Sequence, residues 1–470
     1  TKSTGSWTYE QRRLSYFSRL QYDYKGKYLL SAMLRRDAST KFGPDNSVAW
    51  FPSATMGWII SDEDFLSHAD KIDLIKFRVS YGFLGSDKIG DFQYISQLGG
   101  EATYVLDGTL VHGKAVGASP NPSVKWEESE QFDVGVDFKF FNNKLDINTD
   151  YFIKTTNNLL IGNIPVSGIL GIAAPGASGP TVNAGTVRNS GFEFAVGYRD
   201  NITKDLNFRI NYNVTTLKNE VLEVNNGSGF VAGGSFGVGQ PQPARMQVGF
   251  PIGYYYGYKT DGIFQNQDEV DAHPSQIALG AKAFPGDLRF VNVNHDAVID
   301  ENDRTNIGKP IPDATMGLNI TINYKALDFV AYAYSSIGHD VVRNYERTQP
   351  NANKLATNLN RWTGEGTSNT VPRLTTAATA NTIFSDYYVE DGTFVRIQNL
   401  QLGYTIPQRL TGKAGIEQLR FFANVSNLYT FTKYMGYDPA ASTGSPVGNG
   451  FDSGFYPVPR TYTFGLNLNF

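Results

Sequence analysis

Residues Asn292 to Asp303 read Asn-Val-Asn-His-Asp-Ala-Val-Ile-Asp-Glu-Asn-Asp, and they carry the one spacing in this chain that suits a defined chemistry, the holding of a hard cation. Oxygen donors fall at the first, third, fifth, ninth and twelfth places, and calcium takes about six to eight such oxygens. The expected ligand set is Asn292, Asn294, Asp296, the backbone carbonyl of Val298, Asp300 and Asp303, with Ile299 anchoring the loop inward. Three departures weaken the pattern. Asn rather than Asp opens it, Ala297 occupies the place of the turn glycine and resists a left-handed backbone, and the short arm of Asp303 makes bidentate ligation harder. The competing reading is an Asx-rich turn that satisfies its own backbone. Calcium is therefore a possible ligand, and no cofactor is required.

Other chemistry has less to stand on. The chain contains no cysteine, which removes disulfides, thiolate metal sites and thiol nucleophiles. His68, His112, His273, His295 and His339 are scattered, and no His-Glu-x-x-His or Gly-x-Ser-x-Gly occurs. The glycines of Gly227 to Gly239 precede no Gly-Lys-Ser/Thr, so a phosphate cradle is not expected. Loop carboxylates include no pair that the sequence singles out for acid–base work, and the chain is expected not to be an enzyme. Trp362, Tyr387, Tyr388 and the run Tyr254-Tyr255-Tyr256 offer flat rings with polar tips, suited to stacking on sugars or contacting a lid, or else to a membrane girdle or loop packing. A net charge of −4 and the absence of any basic cluster in the sequence argue against nucleic acid as a partner.

The elements that must position these residues are strands. Thirteen stretches alternate with period two, most clearly at the end, where Tyr462, Phe464, Leu466, Leu468 and Phe470 share one face and Thr461, Thr463, Gly465, Asn467 and Asn469 the other. The remaining stretches run from Leu14 to Tyr24, Tyr28 to Asp37, Phe51 to Ile60, Leu74 to Leu84, Phe132 to Phe140, Leu145 to Ile153, Phe192 to Tyr198, Leu206 to Val214, Met316 to Tyr324, Leu327 to Ile337, Phe394 to Ile406 and Leu419 to Ser426. With 41% hydrophobic residues and no apolar run of about 20, helical membrane spans are excluded, whereas a spanning strand needs only about 10 residues with half of them apolar. In hydrocarbon every amide must be paired, so spanning strands belong to a closed antiparallel barrel with apolar side chains outward. The aromatic content of 13% suits the girdles of such a barrel. The fold class is thus all-β, an antiparallel transmembrane β-barrel.

Connectors alternate between short and long. Lys25-Gly26-Lys27, Asn142-Asn143 and Lys325-Ala326 are tight turns, and Ser61 to Asp73 has the look of a short helical link. Arg36 to Trp50, Gly85 to Ser129, Thr155 to Ser190, Thr216 to Ala314, Gly338 to Thr393 and Asn427 to Arg460 read as long irregular loops, rich in Gly, Pro, Asn, Ser and Thr. Outer-membrane barrels pair short periplasmic turns with long extracellular loops in this way. Such barrels have even strand numbers, so an odd count with a descending first strand predicts a C-terminal fragment that lacks upstream strands. No charged and apolar leader opens the chain, so export is inferred from the barrel alone.

Several segments, in order, resemble one family, the SusC/RagA-like TonB-dependent outer-membrane transporters of Gram-negative Bacteroidota. They are Trp50-Phe51-Pro52-Ser53-Ala54 with Gly57-Trp58, Leu74 to Gly82, Asn121-Pro122 with Trp126-Glu127, Tyr151-Phe152 to Leu160, and Asn189 to Glu193. Further on come Gly257 to Phe264, Pro285 to Phe290, Phe394 to Leu400 with Gly403-Tyr404, Asn427-Leu428, Gly436 to Pro439, and Tyr456 to Arg460 with the terminal Phe470. The resemblance covers nearly the whole chain. It implies a barrel of about 22 strands with a plug in its lumen, of which residues 1–470 are the C-terminal part of the barrel, with the plug domain and N-terminal strands outside this chain. It also implies import of an oligosaccharide or peptide, a SusD-like surface lipoprotein as lid, TonB acting through the absent plug segment, and contact with outer-membrane lipid. The family often carries a fuller form of the Asn292 to Asp303 loop. Gly465, Leu468 and Phe470 resemble the assembly signal read by the outer-membrane insertion machinery, a face that ordinary strand alternation would also produce. A passive porin or adhesin-like barrel shares the strand pattern, and a soluble multi-sheet carbohydrate-binding protein is the third class.

Overall fold

The computed structural model describes residues 8, 10–96, 98–117, 119–162, 164, 178–237, 239–346, 352–442 and 444–470. Two compact units make up the chain, Thr1–Val196 with Lys218–Val231, and Gly197–Leu217 with Ala232–Phe470. In the first unit the long strands are β1 (Arg13–Tyr24), β2 (Tyr28–Ser39), β3 (Val48–Ile59), β4 (Ile72–Ser86), β5 (Glu127–Phe140), β6 (Leu145–Asn157) and β7 (Gly185–Asn201), whose last residues belong to the second unit. The second unit carries β8 (Leu206–Thr216), β9 (Ala314–Tyr324), β10 (Leu327–Ile337), β11 (Phe394–Ile406), β12 (Gln418–Thr432) and β13 (Thr461–Asn469). Within each unit every strand lies beside its sequence neighbour in this series. All thirteen expected strands are present.

Register explains why the alternation was so regular. In the first unit one apolar row passes from Tyr22 to Leu30, Met56, Val79, Val134 and Tyr151, each the cross-strand partner of the one before. In the second, Ile210, Ile320, Ala331, Leu400, Val425 and Tyr462 form a second row. One residue along, the opposite face carries Asn211, Asn319, Tyr332, Asn399, Ser426 and Thr461. Because side chains alternate strictly, a one-residue slip would exchange the two faces, so the pattern fixes the pairing. Several large side chains of the apolar face are left uncovered by protein, Phe464 at 80% and Leu20 at 67% exposure among them.

Two glycines allow ion pairs to cross the polar face. Gly135 on β5 lies between Arg78 on β4 and Asp150 on β6, and the Arg78 guanidinium reaches Asp150 at 2.8 Å across it while also holding Asp137 at 2.7 Å. A Cβ at position 135 would collide with Asp150. The same device recurs in the second unit, where Arg420 on β12 pairs with Asp328 on β10 at 2.5 Å over Gly403 of β11.

The short turns form as expected. Lys25 and Gly26 take φ of 55° and 68°, and Asn142 and Asn143 both take 58°, the left-handed conformation that tight hairpins need and that Gly and Asn tolerate. The link after β3 is made of two 3-10 turns, Ile60–Asp62 and Asp64–Leu66, rather than an α-helix. Glu63 ties it down, accepting from Tyr28 Oη at 2.7 Å, Trp58 Nε1 at 3.0 Å and Lys27 Nζ at 3.2 Å.

Where the sequence predicts irregular loops, the structure has folded ones. Lys218–Val224 is a further strand, antiparallel to the start of β7; it runs on from β8 after one residue and was hidden inside the Thr216 to Ala314 connector. Leu98–Leu106 and Thr109–Val116 form a hairpin, and Ala244–Gln247, Tyr254–Gly257 and Thr305–Gly308 build a small sheet. Of the Thr155 to Ser190 connector, residues 163 and 165–177 lie outside the described residues, as does 238 in the Gly227 to Gly239 stretch. The fully buried large side chains of the chain sit mainly in these connectors: Tyr254, Tyr255, Phe264, Phe290 and Phe451. In the first unit Trp126 packs against Phe42 and Phe51, with ring centroids 5.1 and 5.8 Å apart. The hydrophobic core thus lies in the connectors, while the long strands leave much of their apolar face bare, the inverse of a soluble sheet protein.

Candidate functional site

The Asn292 to Asp303 turn belongs to the second unit and is pinned by Ile299, which is fully buried beside Tyr258, Leu288 and Phe290. The inward anchor expected at that position is therefore in place. Asp303 is also fully buried. Its carboxylate accepts from the backbone N–H of Val293 at 2.7 Å and of Asp300 at 2.8 Å. Asp300 in turn accepts from the N–H of Asn302 at 2.8 Å, completing a reciprocal cap on the short helical turn that follows. Asn294 Oδ1 accepts from Asp296 N at 3.0 Å, and Asp296 Oδ1 from Val298 N at 2.9 Å. His295, beside Ala297 rather than at it, takes the left-handed φ of 61°.

Most of the oxygens expected on a cation are thus occupied by backbone donors. Asn292 Oδ1 is the exception, buried and without a donor, while Asn292 Nδ2 donates to the Asp296 carbonyl at 2.5 Å. Among the described residues no three His, Asp or Glu side chains gather closely enough to hold a metal ion. The turn as folded is not a preformed carboxylate cage.

A second polar centre, not foreseen from sequence, lies in the Pro285 to Phe290 segment. Asp287, with 2% of its side chain exposed, takes a two-pronged contact from Arg373, Nε at 2.7 Å and Nη2 at 3.0 Å. It also accepts from Asn381 Nδ2 at 2.9 Å and from Phe284 N at 2.9 Å. A buried carboxylate satisfied this fully acts as a hub joining two distant loop segments. Gly286 beside it has φ of 89°, and a Cβ there would strike Trp362. The signal lay in the Pro-Gly-Asp triplet, but its partner stands 86 residues away and nothing in the sequence links the two.

The candidate stacking aromatics divide. Tyr254, Tyr255 and Tyr388 are core residues. Tyr255 Oη donates to the Asp340 carbonyl at 2.9 Å, and Tyr388 Oη to that of Asn381 at 2.8 Å. Burial raises the Tyr255 and Tyr388 phenols well above the ordinary tyrosine range. Trp362 donates to Gln265 Oε1 at 3.2 Å, so packing accounts for it as well. Tyr256 lies between Arg245 and Arg304, 3.4 and 4.7 Å from its ring centroid. Tyr387 and Tyr388 both border a large cavity, of about 840 Å³, whose walls include Gln240, Asn358, Arg373, Thr376 and Thr382.

Comparison with known proteins bears on what this assembly is. Residues 2–428 match the sequence profile of the TonB dependent receptor-like β-barrel family. TonB-dependent receptor P3 of Formosa agariphila is 32% identical over 480 residues, a match that covers all of this chain and 47% of that protein. TonB-dependent receptor SusC of Bacteroides thetaiotaomicron is 27% identical over 97% of this chain and 44% of its own length. Among solved structures, the RagAB peptide transporter superposes with a TM-score of 0.78 at 24% identity, over 97% of this chain and 47% of the solved one. The chain therefore spans about half the length of the relatives it matches.

Proposed function

The chain belongs to the TonB dependent receptor-like β-barrel family, and on that premise we propose that the full-length protein actively imports a large nutrient, an oligosaccharide or a peptide, across the outer membrane. The barrel fold, the outer-membrane location and the SusC/RagA type come with the family. The proposal adds the direction of transport, a SusD-like lipoprotein lid over the folded connectors, energy from TonB through a plug outside this chain, and no catalytic step. The observation that carries it is the pair of faces on the strands: apolar rows only partly covered by protein, with Tyr22, Met56 and Tyr462 more than half exposed, and a hydrogen-bonding face of Asn, Ser, Thr and Tyr one residue along. Lipid suits the first and a wet lumen the second. RagAB, which shares the fold, is named a peptide transporter, and folded connectors offer a lid a broad, shaped surface.

The test is uptake of fluorescently labelled oligosaccharides and peptides by cells that carry the full-length receptor, with TonB present or deleted. Import that depends on both receptor and TonB is the expected result. Import that continues at the same rate without TonB would instead identify a passive porin.

Calcium at Asn292, Asn294, Asp296, Val298, Asp300 and Asp303 is a second, separate proposal, favoured by the donorless Asn292 Oδ1. Because the turn already closes on its own hydrogen bonds, the site would be weak, of the class with Kd on the order of 10⁻⁴–10⁻³ M. Isothermal titration of the full-length receptor should show saturable calcium heat that Asp296→Ala abolishes. No heat at millimolar calcium removes the site and leaves a structural turn.

A further inference from the structure

We propose that the cavity bordered by Tyr387 is a subsite for a neutral, hydroxyl-rich ligand, a short stretch of oligosaccharide, rather than for a charged peptide segment; this rests on the import reading and narrows it. At about 840 Å³ the cavity has the size of a small-molecule site. Its walls are held in place. Gln240 brackets one of them, donating to the Thr382 carbonyl at 2.7 Å and accepting from Phe384 N at 3.0 Å. Tyr388 Oη fixes the Asn381 carbonyl at 2.8 Å, and Arg373 is locked on Asp287. A site whose walls are fixed in advance loses little entropy on binding.

The ligand class follows from how the charges at the cavity are disposed. Arg373 is committed to the buried Asp287. Glu346 lies 2.8 Å from the Nε of Arg343, whose guanidinium also meets Glu390 at 2.9 Å. Lys354, at the rim, adds a further positive charge in the field of Glu346. The acidic and basic groups around the space are thus set against one another, and a charged ligand would have to break an existing pair to find a counter-ion. The remaining polar groups are the hydroxyls of Thr375, Thr376 and Thr382 and the amide of Asn358, with the Tyr387 ring beside them. Hydroxyls and amides both donate and accept, as sugar hydroxyls do, and a tyrosine ring supplies the flat apolar area that a pyranose face covers.

The experiment measures binding to the full-length receptor in detergent. The probes are neutral hexasaccharides of glucose, mannose and xylose, with a hexa-uronate and a zwitterionic hexapeptide as charged comparators. Saturable binding of a neutral hexasaccharide is expected, weakened at least tenfold by Thr376→Trp, which fills the exposed mouth, and severalfold by Asn358→Ala, which fills nothing. Binding of the charged comparators alone, of no probe at all, or of the neutral probe as tightly by both variants as by the unaltered receptor overturns the proposal. TonB-dependent uptake is followed in parallel. Uptake that persists with both variants while binding is unaltered removes the subsite and keeps import, whereas altered binding in a receptor that imports nothing keeps the subsite and removes import.

Discussion

Asp287 shows what residue-level chemistry does in this protein: one buried carboxylate takes its hydrogen bonds from Arg373, Asn381 and the Phe284 amide, and so closes a fold that no regular element spans. Asp287→Ala takes the partner from the part-buried Arg373 guanidinium and leaves Asn381 Nδ2 and the Phe284 amide without their acceptor, which costs about 1–3 kcal/mol. Limited proteolysis should then cut the 284–290 and 373–381 segments while the long strands stay intact; an unchanged digestion pattern would show that the hub does not hold the connector. Glu63 yields a pH prediction. Hydrogen bonds from Tyr28 and Trp58, together with Lys27, hold its carboxyl down to about 2, below the ordinary glutamate value of about 4.3. A folded-state value below the unfolded one contributes stability above about pH 4.3 that is lost as pH falls through about 2. Hydrogen exchange in the Ile60–Leu66 link should be steady from pH 7 to about 4.5 and, after correction for intrinsic rates, accelerate below that. Glu63→Gln should remove the acid-dependent part. At this scale the sequence was partly legible: Ile299 could be assigned as an anchor because its apolar side chain interrupts a polar run, and the bonds of Asp303 to Val293 and Asp300 stay within the turn, but Arg373 and Asn381 reach Asp287 from about ninety residues away, which local spacing does not encode.

Strand positions were legible because a two-sided sheet imposes its own periodicity, and each of the thirteen stretches kept it over at least seven residues. The connectors were not. Most of their strands are short, Ala244–Gln247 and Leu288–Phe290 among them, and too few residues alternate to register, while the longer hairpin of Leu98–Leu106 and Thr109–Val116 sets apolar residues side by side, as at Tyr104-Val105-Leu106 and Leu110-Val111, and so breaks the period. Their burial also comes from both sides, so Tyr254 and Tyr255 are consecutive and both buried, a pattern that shows no period. Lys218–Val224 escaped for a related reason, since its alternation continues that of β8 past Leu217. The glycines of the long strands hold information that periodicity misses. Gly403→Val would drive a side chain into the Asp328–Arg420 pair and force it apart. A cost of about 1–3 kcal/mol follows from the charged groups losing each other. Lower resistance of the full-length barrel to heat in detergent should report it, and Gly364→Val, at a site open to space, should be neutral by the same assay. Equal effects of the two changes would mean that the crossing pair contributes nothing.

For the molecule as a whole, polar composition, a bare apolar face and well-packed connectors are consequences of one arrangement. A spanning strand gives half its residues to lipid and half to a wet interior, so its mean hydropathy stays low, at −0.31 over the chain, while the connectors build cores of their own. The order of the recognised segments made the family legible, whereas the cavity was not, because its walls are drawn from segments more than a hundred residues apart, as Gln240 and Thr382 are.

The most direct test uses the absence of cysteine from this sequence. Single cysteines placed at Asn399, Leu400, Gln401 and Leu402 of β11 in the full-length receptor, in a background freed of any other cysteine, can be spin-labelled in the outer membrane and their collision rates with oxygen and with a water-soluble nickel chelate compared. The two-faced strand predicts high oxygen and low nickel accessibility at Leu400 and Leu402, with that preference lost at Asn399 and Gln401. Leucine positions shielded from both reagents would place the apolar rows inside a dry protein core and contradict the account.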